Sequence, residues 1–267
     1  ADLEVFQGLG RFADKLENAS MAYTYRDLIL LPGRSEVEPS DVDLSTWITP
    51  RIKVKYPFIS SPMDTVTGAG MAVAIYRAGG IGVLHRNCSM EQQVTMAEMC
   101  KLENAVFGAA ISPFDLERAE ELSKIADFLL IDVSHFHNTN VMLATKKLME
   151  VVDTEVVVGN VGTYDAVFDI MDEIPTVSGI RVGIGSGSIC STIGVTRAGS
   201  PTAFATAKAA DSVAENSPMP VPIWSCGGIQ GAGDVALALA LGANAVVIGN
   251  LFAGCNESPG DLWENQD

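Results

Sequence analysis

Phe128-Leu129-Leu130-Ile131-Asp132, then residues 141–152, then Glu155-Val156-Val157-Val158-Gly159 read as strand, helix and strand. Each strand candidate is a nearly continuous apolar run, as expected for a strand covered by helices on one face and packed on the other. The same pattern extends in both directions. Further strands are predicted at 57–61, 80–84, 105–110, 179–183, 222–225 and 245–249, and helices at 64–78, 115–125 and 233–241. Alternation alone fits either an open doubly wound sheet or a closed barrel. A count of eight strands predicts the α/β class as a (β/α)₈ TIM barrel in a single domain. Residues 20–56 precede the first strand and are expected to close the bottom of the barrel.

In such barrels chemistry sits at the carboxyl ends of the strands. Polar and glycine residues gather there: Ser61-Pro62-Met63-Asp64, His85-Arg86-Asn87, Asp132-Val133-Ser134, Gly159-Asn160, the stretch 183–192, Cys226-Gly227-Gly228 and Gly249-Asn250.

Bulk composition narrows the partners. The chain has 267 residues, 48% of them hydrophobic, which is enough for one well-buried domain and argues against disorder. A net charge of −16 repels phosphate backbones and anionic membranes, so no nucleic acid is expected as a partner. An anionic substrate must then be held by local devices such as backbone amides. No apolar run approaches the roughly 18 residues of a membrane span. The five cysteines form no CxxC pair and no metal spacing with the three histidines, which predicts reduced thiols in a cytoplasmic protein. His135 and His137 lack a third partner at zinc-site spacing. Residues 1–22 read as an N-terminal extension; Leu3-Glu4-Val5-Phe6-Gln7-Gly8 within it resembles a protease-site tag remnant and fits a native helix equally well.

The richest segment is Ile180-Arg181-Val182-Gly183-Ile184-Gly185-Ser186-Gly187-Ser188-Ile189-Cys190-Ser191-Thr192. Alternate glycines after a strand permit positive φ and expose consecutive backbone groups, able to cradle an anion with amides or a cation with carbonyls. A thiol just beyond can serve as a nucleophile, and a glycine turn followed by a structural cysteine fits the same residues. The segment is not a dinucleotide fingerprint, because no helix-opening G-x-G-x-x-G is present.

These thirteen residues resemble the signature of the inosine-monophosphate dehydrogenase and guanosine-monophosphate reductase family. The likeness extends to Tyr23-Thr24-Tyr25-Arg26-Asp27-Leu28-Ile29-Leu30-Leu31-Pro32-Gly33, to residues 60–67 and 79–87, to Gly159-Asn160-Val161-Gly162-Thr163 and to Glu257-Ser258-Pro259-Gly260. It covers residues 23–260, within a barrel placed at 23–267.

The resemblance implies a chemistry. Cys190 would attack C2 of a purine nucleoside monophosphate, with Thr192 as the second catalytic residue. Hydride would pass to NAD in the dehydrogenase direction, or come from NADPH with loss of ammonia in the reductase direction. Ser61, Met63, Ser188, Cys226, Gly227, Gly228, Gly249 and Asn250 would hold the nucleotide. Asp132, Ser134, Asn160, Arg181, Gly183 and Gly185 would line the cofactor side. Carbonyls of Gly185, Gly187 and Cys190 would hold a monovalent cation, expected to be potassium. A homotetramer is the family's assembly. The short span between Asn87 and the third strand leaves no room for the regulatory two-module (CBS) insert. Ser61-Pro62-Met63-Asp64 and residues 79–82 favour the dehydrogenase over the reductase.

Three departures matter. Cys226 stands where the family places an aspartate for the ribose hydroxyls, which implies an altered substrate, such as a deoxy sugar, or a non-catalytic nucleotide-binding barrel. Asn250 and Ile193 replace a small and a polar residue. The family's flap, with the dehydrogenase's arginine and tyrosine, is expected after Gly260 and is missing or truncated in a sequence running to Asp267.

Overall fold

The computed structural model describes residues 21–185, 187 and 192–260. Eight parallel strands close into a barrel: β1 (Phe58–Ser60), β2 (Ile81–Leu84), β3 (Phe107–Ile111), β4 (Phe128–Asp132), β5 (Glu155–Val161), β6 (Gly179–Val182), β7 (Ile223–Cys226) and β8 (Ala245–Ile248). Strand β8 pairs with both β7 and β1, which shuts the ring. The outer layer comprises α1 (Ala69–Arg77), α2 (Met90–Leu102), α3 (Leu116–Ser123), α4 (Thr139–Met149), α5 (Tyr164–Glu173), α6 (Thr202–Asn216) and α7 (Ala232–Ala240), with one turn, α8 (Asn250–Ala253), after β8. A short helix, Thr192–Thr196, lies between β6 and α6. The barrel expected from the count of eight strands is the fold, and all eight strands lie within two residues of their predicted bounds.

The apolar runs are continuous because both faces of each strand are buried. Along β4, Phe128 and Leu130 point into the barrel with Val157, Ile59, Val83 and Trp224. Leu129 and Ile131 point outward against the helices with Ala119, Leu122 and Val158. Side chains alternate because the strand period is two. The ring of Phe128 meets Trp224 edge-to-face at 5.5 Å and 83°. Gly108 makes that pairing possible, since a Cβ there would stand 2.2 Å from Phe128 Cζ.

The segment before β1 does two jobs rather than one. Its later part forms the floor, as expected: a hairpin, Thr46–Trp47 with Lys53–Val54, presents Ile48 O to Trp224 Nε1 at 2.8 Å. Glu155 at the start of β5 accepts from Arg51 N and Thr49 Oγ1 in the same layer. Its earlier part runs to the opposite end. Tyr25 wedges between β7 and α6, and its hydroxyl lies 2.6 Å from Ser225 Oγ and 3.3 Å from Thr206 Oγ1. Burial raises the Tyr25 pKa above its ordinary value, with both hydroxyl partners pulling the other way. One apolar-looking segment therefore supplies both floor and rim.

Gly108→Ala is expected to lower unfolding stability by about 1–3 kcal/mol, the cost of overpacking a closed core. Gly194→Ala, where an added Cβ meets nothing within 4 Å, should be neutral or better in the same urea titration. Equal stability of the two variants would show that the barrel interior has slack.

Candidate active site

Strand parity sets the top layer of the barrel. Trp224 and Leu130 face inward, so two residues on, Cys226 and Asp132 do too. In β6 Ile180 and Val182 face outward, leaving Arg181 inward. Gly159 of β5 shares that layer, and its missing side chain leaves room for Arg181, whose Cβ would lie 2.7 Å from an added Cβ.

Arg181 is the centre of the layer. Its side chain is 9% exposed, and its Nη1 donates to Asp132 Oδ1 at 2.7 Å. Its Nε donates to Cys226 Sγ at 3.2 Å. Burial alone would pull its pKa down; the charges and hydrogen bonds of Cys226 and Asp132 more than offset this and raise it. Arg86, after β2, adds a second guanidinium, donating to Asp132 O at 3.0 Å. Its loop is held by Arg118, which donates to the carbonyls of Arg86 and Cys88.

Asn160 reaches the same space by a different device. Its own parity would turn it outward, but the β5–β6 register shifts between Gly159 and Val161, and such a bulge re-aims one side chain. Asn160 Nδ2 donates to Gly183 O at 2.6 Å, which fixes the amide orientation. Its Oδ1 is buried with no partner. An unpaired buried acceptor costs about 1–3 kcal/mol, so Asn160 presents a carbonyl to an incoming N–H.

Asp132, Asn160, Arg181 and Cys226 line one cleft of about 940 Å³ at the carboxyl ends of the strands. That is near the top of the roughly 300–1,000 Å³ span of small-molecule sites. Ser61, Met63, Asp132, Asn160, Arg181, Gly183, Gly185, Gly187, Cys226, Gly227, Gly228, Gly249 and Asn250, all singled out in the sequence, lie in its wall. Gly249 sits over the β1 loop, where a Cβ would lie 3.3 Å from Met63 Sδ. Gly227 and Gly228 adopt φ of 101° and 79°, the left-handed region that favours glycine. Ser134 is exposed on the loop after β4 and does not line the cleft. His137 Nε2 lies 2.7 Å from Asp169 Oδ2, away from the cleft wall.

Cys190 and Ser188 lie outside the described residues, as does the side chain of Thr192. The feet of their loop are described. Gly185 has φ of 83°, and Ile193 packs so closely that an added Cβ there would lie 2.2 Å from Ile193 Cγ1. Ser200 N donates to Ile184 O at 3.0 Å, joining the two sides. Ile193 therefore wedges the loop's base, a structural use for the apolar residue that departs from the family pattern. Two other thiols are held protonated: burial raises Cys88, and burial with the nearby Asp127 carboxylate pushes Cys100 up to about 12.

Sequence inspection alone does not single out Thr24, Tyr25, Arg26, Thr202 or Gln230, which also line the cleft. The likeness at residues 23–33 was the only signal for the first three.

A (β/α)₈ barrel with a polar cleft at its strand ends, walled by glycine turns, belongs to the class of ligand-transforming barrels. Residues 22–267 match the model of the IMP dehydrogenase / GMP reductase domain. Inosine-5'-monophosphate dehydrogenase of Korarchaeum cryptofilum is 33% identical over 92% of this chain and 77% of that protein. The proteins of the same name from Cryptosporidium parvum and Borreliella burgdorferi are 35% and 34% identical, covering 92% and 90% of this chain and 71% and 72% of theirs. The chain belongs to the IMP dehydrogenase / GMP reductase family. The alignment with the Korarchaeum protein runs over 370 residues against 267 here, so it includes positions of that relative with no counterpart in this chain. Among the described residues no helix is long and apolar enough to cross a membrane.

One pH dependence follows. His85, at the end of β2, is buried with Nδ1 unpartnered, and burial lowers its pKa, Asp64 pulling weakly upward. The unfolded chain binds that proton near pH 6.5, the folded chain only at lower pH, so stability is full above about 6.5 and falls on acidification. Between about pH 7 and 5, His85→Gln should lose stability less steeply than wild type in urea titrations. Parallel slopes would assign the loss to other groups.

Proposed function

We propose that the chain is the catalytic barrel of a purine-nucleotide oxidoreductase of the IMP dehydrogenase type. The observation that carries this reading is the cleft itself: Arg181, Asp132 and the unpaired Asn160 carbonyl stand beside the glycine turn that leads to Cys190.

In this reading the Cys190 thiolate adds to C2 of inosine monophosphate, forming the C–S bond. NAD, when bound on the side lined by Asp132, Asn160 and Arg181, would supply the acceptor for the hydride lost from C2. Water then adds to the resulting thioimidate, the C–S bond breaks, the 2-oxo purine departs and the thiol is restored. The chain's own residues orient these steps. Asn160 and Arg181 offer one acceptor and fixed donors to the reacting faces, Asp132 holds Arg181 in place, and Gly183 and Gly185 allow close backbone approach. Ser61, Met63, Gly228 and Gly249 form the nucleotide wall. Carbonyls of Gly185, Gly187 and Cys190 are proposed to hold potassium; the positive φ of Gly185 fits a turn that presents backbone rather than side chain. The exposed run Ile29, Leu30 and Leu31 supports self-association, read here as the tetramer. Cysteines outside any disulfide among the described residues, Cys88, Cys100 and Cys255, suit a reducing, cytoplasmic setting.

Cys226 favours a second reading of the sugar. A thiol engaged by Arg181 Nε offers no carboxylate to vicinal hydroxyls, so a 2'-deoxynucleotide fits this position as well as a ribonucleotide.

Formation of reduced nicotinamide from inosine monophosphate and NAD tests the main reading, with guanosine monophosphate and NADPH as the reductase control. Cys190→Ala should cut turnover by on the order of 10⁴-fold or more and abolish covalent labelling by a 6-halopurine nucleotide. Labelling that survives the substitution places the nucleophile elsewhere. Cys226→Asp should tighten ribonucleotide binding about tenfold relative to the 2'-deoxy form; an unchanged ratio removes the sugar reading.

A further inference from the structure

The wall of the cleft farthest from the Arg181 cluster in sequence comes from the segment that precedes the barrel. Thr24, Tyr25 and Arg26 line it, next to Gln230 and the Gly227–Gly228 turn. In a chain of net charge −16, Arg26 and Arg181 are the cations in the cleft wall among the described residues. Arg181 is committed to Asp132 and Cys226. Arg26 is not: its contact is the neutral Gln230 Oε1 at 2.7 Å, and among the described residues it makes no ion pair. Asp234, on the same side, accepts from Gln230 N and Gly231 N, so its charge is engaged by the backbone at the start of α7.

A second observation points to a ligand at this wall. Thr202 is 1% exposed, lines the cleft, and its Oγ1 has no hydrogen-bond partner. It is the first residue of α6, a 15-residue helix whose N-terminus has no side-chain cap. In α2 and α5 a side chain satisfies that end, Ser89 accepting from Gln92 N and Thr163 from Ala166 N, whereas α1 and α7, which start after Gly68 and Gly231, are without a side-chain cap as α6 is. Gly228 lies against this hydroxyl, since a Cβ there would stand 3.6 Å from Tyr25 Cδ2 and 4.0 Å from Thr202 Oγ1. An unpaired hydroxyl, an uncapped helix start and an uncommitted guanidinium around one glycine turn share one complement, a tetrahedral dianion.

We propose that Arg26 and Thr202 seat the phosphate of the purine mononucleotide, together with the Gly227–Gly228 turn. The inference rests on the reading of the cleft as a nucleotide site and assigns to it two binding residues from outside the glycine loop. The guanidinium supplies charge-assisted bonds in a fork that matches phosphate oxygens, and the threonine hydroxyl donates one more. The segment carrying Arg26 is thereby part of the substrate site.

Calorimetric titration of the full chain with inosine monophosphate, inosine and inorganic phosphate tests this. Wild type should bind the monophosphate more tightly than the nucleoside. Arg26→Ala should weaken the monophosphate about tenfold or more and leave the nucleoside unchanged, with Arg26→Lys intermediate. Thr202→Val, nearly isosteric, should weaken the monophosphate about fivefold. Wild-type affinity for the monophosphate in both Arg26→Ala and Thr202→Val overturns the seat while leaving the nucleotide reading intact. Arg26-dependent binding of inorganic phosphate without binding of either purine keeps the seat and overturns the purine reading. Failure of wild type to bind monophosphate or phosphate overturns the seat.

Discussion

A guanidinium that is nine-tenths buried must be met by partners of fixed geometry, and the upper layer of this barrel is organised by that demand. Breaking such a pair by removing one partner costs on the order of 3–5 kcal/mol, because the surviving charge stays in a poor solvent. Asp132 meets Arg181 from β4, Cys226 meets it from β7, and Gly159 gives way on β5. Three strands are thus held in register around one side chain. The rigidity that results is what a site needs when two ligands must be aligned face to face. Lysine at 181 would keep the charge and lose the fork, and with it the simultaneous reach to carboxylate and sulfur.

Much of this was legible in the amino-acid order. Two-sided burial writes itself as unbroken apolar runs, so β4 and β5 declared themselves, and the period of two carries Asp132 and Cys226 inward once Leu130 and Trp224 are known to be inside. Asn160 is harder. Its place depends on a register shift that no residue type announces, and only the polar strand end hinted at it. The path of residues 24–28 was not legible at all. Nothing in Tyr25-Arg26-Asp27 says that it climbs to the rim while Ile48 and Thr49 descend to the floor; that choice is made by Ser225, Thr206 and Trp224, some two hundred residues away. Ser134, two residues after Asp132, is exposed on the loop that follows β4, which shows how quickly proximity decays once a strand has ended.

The cysteines divide by surroundings rather than by sequence. Cys100 is sealed among apolar atoms near a carboxylate, and its proton is locked on. Cys226 faces the cleft under a permanent cation. The same element thus serves as filler in one layer and as a polar participant in another. Cys226 both lines the cleft and helps hold Arg181, so a change there alters the wall and the guanidinium together.

The docking of Tyr25 has a thermodynamic consequence. Because Thr24, Tyr25 and Arg26 form part of the cleft wall, any ligand that touches that wall binds only chains in which this segment is seated. Occupancy and seating are then linked quantities: whatever free energy a ligand gains from the segment is returned as protection of the segment against peeling away. The chain's early residues would behave as a latch whose closed population is set by metabolite concentration, although they contribute no strand to the barrel they complete.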